Sequence, residues 1–390
     1  MSISKTDSLE QIDAEVIDFE LDLPMTKDID SSGSEKSGSK KNHKSKKAAY
    51  RKLKSFRPII LIMLLALVGF STELCAEFYG SIDLGLTYTD NAYQLSGYDL
   101  QRFEDGNPDL EFVNNSDDVV MNTMFYGAYL TQWHWWRIQP LLQCSVNQYI
   151  LNPNKQRMSF LTGVKIFRRL GEIGFFYGYI PDNYIRSYID TDGTDELEDF
   201  TYDRNLYRVD LKLKPLSKST VGLDYRLEQY FYDEHFTEFD GDINTWTLSW
   251  QQSLPTFYLD AAYGYRVYET DNKEAINNPE DASYESNVYS FGLLMKKMSL
   301  DERYPSVQWR PEINLRFEER YYQGSDSWHA GRTDNINTTT GTIHFYFGPS
   351  WNINLDYSHL FRNVDAVYSS VRKYKEYSEN RFGINARYSF

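Results

Sequence analysis

Phe382-Gly-Ile384-Asn-Ala386-Arg-Tyr388-Ser-Phe390 places an apolar or aromatic side chain at every second position. Successive side chains of a strand point to opposite faces. Phe382, Ile384, Ala386, Tyr388 and Phe390 therefore share one face, and Arg381, Gly383, Asn385, Arg387 and Ser389 share the other. Two structures accommodate such a segment. One is the edge of a soluble sheet, where open backbone groups would recruit other chains. The other is a closed sheet, in which this strand pairs with the first and leaves no edge.

The rest of the chain favours closure. It carries 32 Tyr, 23 Phe and 8 Trp in 390 residues, yet its mean hydropathy is −0.58. Both hold together if apolar and polar residues alternate, as in a barrel with lipid outside and water inside. A helical membrane protein needs several runs of about 20 apolar residues, and only 58–70 forms a continuous one. The net charge of −15 argues against nucleic acid, whose phosphates must be met by Lys and Arg. Cys75 and Cys144 are too few for a disulfide framework.

From Glu77 onward, alternating segments recur over 77–89, 118–130, 136–150, 157–169, 172–185, 204–214, 220–233, 242–252, 256–269, 285–297, 307–320, 337–348, 351–364 and 377–390. The expected fold is all-β: an antiparallel up-and-down transmembrane barrel of about fourteen strands, with twelve or sixteen as alternatives. Connections after even-numbered strands are mostly tight, and those after odd-numbered strands are mostly long and polar. With both termini on the periplasmic side, the tight turns lie there and the long loops outside. The connection 298–306 is long for a periplasmic turn.

Upstream, residues 1–39 are acidic, Ser-rich and poor in aromatics, which predicts a disordered leader. Residues 40–76 combine a basic stretch with the apolar run 58–70 and small residues before Glu77, the layout of a signal peptide cleaved near Ala76. The leader reads as a long n-region, an upstream start codon or the tail of an uncleaved anchor. The barrel itself is assigned to 77–390.

Alternation assigns faces. Val221, Leu223, Tyr225 and Leu227 face lipid, as do Leu259, Ala261, Tyr263, Tyr265 and Val267, Ile313, Leu315 and Phe317, and Trp351, Ile353, Leu355 and Tyr357. A Lys or Arg facing lipid at mid-bilayer costs about 2–4 kcal/mol, and a one-residue slip would turn every inward charge outward. The inward set expected to line a pore is Arg208, Asp210, Asp224, Arg226, Glu228, Asp260, Arg266, Glu312, Arg316, Glu318, Arg381 and Arg387. Lys165, Arg169, Lys212, Asp83 and Asp356 join it. These charges either pair across strands to fill a closed interior or line water. Gly85, Gly163, Gly178, Gly222, Gly264, Gly292 and Gly383 are also inward and are expected to thin the lining. Trp133, Trp135, Trp136, Trp246, Trp250, Trp309 and Trp351 are expected in the girdles where the wall meets lipid headgroups.

Asp190-Thr-Asp192-Gly-Thr-Asp195 lacks the spacing and closing Glu of a calcium loop, so no metal or other cofactor is expected. Ser358-His359 and His235-Phe-Thr237 are the only hydroxyl–His candidates weighed for hydrolysis. Adjacent strand residues point apart, and the loop pair has no evident orienting group. No enzymatic activity is expected.

The terminal segment resembles the C-terminal β-signal of Gram-negative outer-membrane barrels, which the barrel-assembly machinery reads through the aromatic last strand. The resemblance makes Phe382, Ile384, Tyr388 and Phe390 the assembly signal. Tyr79-Gly-Ser-Ile-Asp-Leu-Gly-Leu-Thr-Tyr-Thr-Asp90-Asn91-Ala-Tyr93 resembles the opening of a loose group of porin-like barrels whose first strand ends in Thr-Asp-Asn, some of them linked to exopolysaccharide systems. The expected partners are outer-membrane lipid and lipopolysaccharide, the assembly machinery and a small polar solute or ion. The expected role is passive passage of such a solute, with export or anchoring of a surface polymer as the alternative.

Overall fold

The computed structural model describes residues 77–190, 194, 196–271, 281–301 and 306–390. The leader 1–39 and the basic and signal segments 40–76 lie outside the described residues.

Fourteen long antiparallel strands close into a barrel: β1 (Glu77–Thr89), β2 (Asp118–Trp133), β3 (Trp136–Tyr149), β4 (Arg157–Arg168), β5 (Gly171–Ile189), β6 (Leu197–Leu216), β7 (Ser219–Tyr232), β8 (Gly241–Ser253), β9 (Phe257–Thr270), β10 (Tyr284–Met295), β12 (Val307–Tyr322), β13 (Thr333–Phe347), β14 (Trp351–Asp365) and β15 (Tyr377–Ser389). The two-residue β11 (Met298–Ser299) sits on β12, inside the connection that looked too long for a turn. Each strand pairs with its neighbour in sequence, and β1 pairs with β15. At that seam Gly80 and Phe390 exchange backbone hydrogen bonds of 3.0 Å each way. Asp83 stands opposite Arg387 and accepts from its Nε at 2.5 Å.

The exterior follows the alternation. Leu84, Leu86, Leu223, Leu248, Phe291, Ile313, Leu355, Phe382 and Ile384 are all exposed on the outer wall, where aqueous solvent would make such a surface an aggregation site and lipid makes it a stable one. Charged side chains on that face, such as Glu285 and Glu319, lie at the loop ends of their strands, where Tyr265 and Tyr321 hydroxyls donate to them. Trp133, Trp135 and Trp351 are exposed at the turn end of the wall, as the girdle reading expects. Trp246 instead lies mid-strand, ring to ring with Tyr225 at 4.3 Å. Arg169 departs from its assignment. β4 ends at Arg168, so Arg169 is exposed in the turn and does not face the interior.

Gly163 and Gly383 do not thin the lining. A Cβ on Gly163 would meet the Phe176 ring at 2.4 Å, and one on Gly383 would meet Asp356 Oδ2 at 2.3 Å. Each gives its missing side chain's place to a larger neighbour on the adjacent strand.

Candidate functional site

The barrel interior is the candidate site, and its two sides differ. Across β2–β5 an apolar cluster sits among inward polar residues such as Gln139, Gln143 and Lys165. Tyr126, Ala128, Leu141 and Phe176 are buried together with Tyr79 and Leu161 beside them. The first outer loop folds against the upper part of this side. Its Ala92, Tyr93, Leu95, Leu110 and Val113 pack with Tyr184 of β5. A second buried cluster fills the loop ends of β5–β12, where Phe236 and Phe239 of the β7–β8 loop join Phe200, Tyr230, Tyr268 and Tyr284.

The first loop is held by β15. The Thr89 hydroxyl donates to Glu379 at 2.5 Å. Asp90 accepts from the backbone N and the Nδ2 of Asn380, both at 2.7 Å. Asn91 Nδ2 donates to the Ser378 carbonyl at 3.0 Å. The Thr-Asp-Asn sequence thus ties the loop back to the last strand, residue by residue. Beyond it, Gln94 has φ of 52°, donates to Glu379 at 3.3 Å and accepts from the Tyr377 hydroxyl at 2.7 Å. The loop's helix, Gly97–Glu104, starts on the Ser96 cap and meets the helix Ser369–Lys375 of the last outer loop through Tyr98 and Tyr374, centroids 4.9 Å apart.

On the other side of the interior lies a chamber of about 800 Å³. Gln94, Tyr377 and Arg320 line its loop end, and Asp260, Glu312 and Asp356 its turn end. Thr338, Thr340 and Thr342 of β13 run down its wall between them.

The charges are sorted by height. Register links Arg320 to Ser286, Ser286 to Arg266, Arg266 to Thr245, Thr245 to Arg226 and Arg226 to Arg208, so four arginines occupy one row of the sheet. The carboxylates one step nearer the turns hold them. Asp224 accepts from Arg208 Nε at 2.5 Å and Arg226 Nε at 2.9 Å. Glu318 takes Arg266 at 3.2 Å, Arg316 at 3.2 Å and Arg320 at 2.8 Å. Five guanidinium groups thus share two carboxylates, and Asp210, 4.0 Å from Arg208, adds a third. Such charge-assisted bonds fix the side chains in place. Nearer the turns, Glu312 and Asp356 flank Thr342 in one row, and His344 Nε2 lies 2.8 Å from Glu312.

The expected lining residues divide accordingly. Asp260, Glu312, Arg316, Glu318 and Arg381 line the chamber. Arg208, Asp210, Asp224 and Arg226 face inward along the row described above. Glu228, buried, accepts from Arg204 Nη1 at 2.9 Å. Arg266 is buried on Glu318. Both are buried, and neither is among the residues that line the chamber. Arg387 lies at the seam on Asp83. Arg320 and Glu379 were missed although each shares strand parity with a residue already assigned inward, and His344 and the threonines were missed because no face had been assigned to β13. Gln94 and the apolar residues around it were missed for another reason: the connections after odd-numbered strands had been read only as long and polar.

Among the described residues no group of three or more His, Cys, Asp and Glu is arranged to hold a metal. Ser358 and His359 point to opposite sides of β14. His235 Nδ1 is 2.9 Å from Asp190 rather than on a hydroxyl.

No family model matches the chain, and no curated protein does. Solved structures similar to it include a bacterial polysaccharide outer membrane secretin at 10% identity and TM-score 0.40, covering 80% of this chain and 98% of that one. Another is the anion-selective porin from Comamonas acidovorans, at 8% and 0.42, covering 82% and 100%. A third is the outer membrane channel DcaP of Acinetobacter baumannii, at 10% and 0.43, covering 82% and 98%. The strand count and the closure of this barrel stand on its own hydrogen-bond register.

Proposed function

We propose that this protein is a channel of a Gram-negative outer membrane that passes small polar solutes or ions. The observation that carries the reading is the chamber of about 800 Å³, lined by charges and hydroxyls inside a wall whose exterior is apolar. A barrel of this width has room for water that eight strands would not leave. Loop 90–117 and the aromatic cluster fill much of the rest, which suits a small solute better than a polymer chain. Selectivity is expected where Arg208, Arg226 and Arg316 face the lumen, because fixed charges in a confined space are weakly screened.

Planar-bilayer recordings in asymmetric salt test the reading. The parent should conduct, and neutralising those three arginines to Gln should move the reversal potential toward cation selectivity. A barrel that inserts and never conducts, or an unchanged potential, would refute it. Targeting is tested separately. Replacing Phe390 with Ser should lower the yield of heat-modifiable, inserted barrel while export across the inner membrane continues. Full assembly of that variant would remove the assembly-signal reading of Phe382, Ile384, Tyr388 and Phe390.

A further inference from the structure

The chamber wall changes character along its height. At one level, register sets Gly292 of β10, Asn314 of β12, Thr340 of β13 and Ser358 of β14 side by side. All four line the chamber, and none carries a charge. The charges of that level lie beyond them, at Asp260 on β9 and Arg381 on β15. One step toward the loops Arg316 stands opposite Thr338, and one step toward the turns Glu312 and Asp356 flank Thr342. An uncharged band thus runs across four strands, bordered by donors on the loop side and by acceptors on the turn side.

Strand preference alone does not account for the threonines. Valine suits a strand equally well, and the other side of the interior does bury apolar residues. What Thr338, Thr340 and Thr342 add is a half-buried hydroxyl at every second position. A hydroxyl both donates and accepts, whereas a carboxylate only accepts and a guanidinium only donates. Thr340 donates to Ser358 at 3.2 Å, and Asn314 Nδ2 donates to Glu312 at 2.7 Å. Neighbouring inward positions are about 4.8 Å apart across strands and about 7 Å apart along them. A solute with hydroxyls spread over a ring can therefore engage several of them at once. The chamber, about 800 Å³, has the size usual for a small-molecule site.

We infer that this band binds a neutral polyhydroxylated solute, a sugar or polyol, inside the chamber. The inference takes from the channel reading only that the chamber is filled with water. The hydroxyls of the solute bond to Thr338, Thr340, Thr342 and Ser358, donate to Asp356 on the turn side and accept from Arg316 on the loop side. Such a site discriminates against a solute of like size without those hydroxyls, because its own polar groups are then left unpaired.

Sucrose is the probe, and a polyethylene glycol of the same mass, hydroxylated only at its ends, is the control. Saturation-transfer NMR on the folded barrel in detergent reads binding without conduction. Transfer to sucrose should exceed transfer to the glycol by about five-fold, the scale of one or two hydrogen bonds. The T338V/T340V/T342V variant should lose most of that excess. T340V alone should remove roughly half of it, which decides the matter should the triple variant not fold. In planar bilayers, sucrose should block the current more than the glycol does at equal bulk conductivity. Equal transfer to the two solutes, or an excess that survives in the variants, overturns the inference. A barrel that binds sucrose and never conducts overturns the channel reading and leaves the site standing.

Discussion

The β2–β5 side of the interior and the β8–β14 side are written in the same alternating code and end in opposite states. On the first, inward residues are Tyr126, Leu141, Leu161 and Phe176, packed against one another and roofed by the first loop. On the second, inward residues are Thr338, Thr340, Asp356 and Arg316, facing the chamber. A barrel thus needs alternation to fix which side chains face inward, but the kind of inward residue decides whether that side is packed or wet.

The largest expected effect comes from emptying the packed side. Phe176→Ala should cost about 3–5 kcal/mol, the usual range for a buried aromatic, because Gly163 and Gly174 have no side chains to fall into the hole. Thr340→Val, on the wet side, should leave stability nearly unchanged. Urea titrations of both variants folded into vesicles give the comparison. Equal losses would mean that the two sides are packed alike.

The sequence made the first half of this contrast legible and hid the second. Strand positions, inward parity and the β1–β15 closure could be read from residues such as Asp83, Leu223 and Phe390, because a period of two and the cost of charge in lipid leave few choices. The filling of the interior could not. Whether Glu228 is sealed or Glu312 is wet depends on Arg204 one strand away and on how far the loops fold inward, neither of which a period encodes. Loop 90–117 carried a signal in Tyr93, Leu95, Leu110 and Val113, apolar residues spaced among acids. Long polar loops read as solvated, and this one is half core.

A smaller but sharper test lies within the wet side. Glu318 is buried and accepts from three arginines, Arg266, Arg316 and Arg320. Glu318→Gln removes the carboxylate that the buried Arg266 and Arg320 share and should cost about 3–5 kcal/mol, the penalty for breaking a buried pair from one side. Asp356→Asn, on the same side, opposite Thr342 and lining the chamber, should cost little. Selectivity should separate them too: E318Q raises anion preference and D356N moves it less. If both variants lose the same stability, the arginine row is held by something other than its shared carboxylate.

The smallest effect concerns the loops, where the packed and wet sides meet water. His235 stands 2.9 Å from Asp190 and 3.7 Å from Glu198, beside Asp233. Partial burial by itself would lower its pKa, but the Asp190 hydrogen bond and the charges of Glu198, Asp190 and Asp233 together raise it above the ordinary value. A raised folded-state pKa fixes the sign. The contact contributes fully below the unfolded histidine value of about 6.5 and is lost as pH rises through the higher folded value. Hydrogen exchange in peptides spanning 233–240 should therefore quicken between pH 6 and pH 8 by more than the intrinsic chemistry requires. The β2–β5 peptides should show no such excess, and H235Q should abolish it. An excess that persists in H235Q would assign the pH response to another group and leave the loop's attachment to its aromatic residues, Phe236 and Phe239, alone.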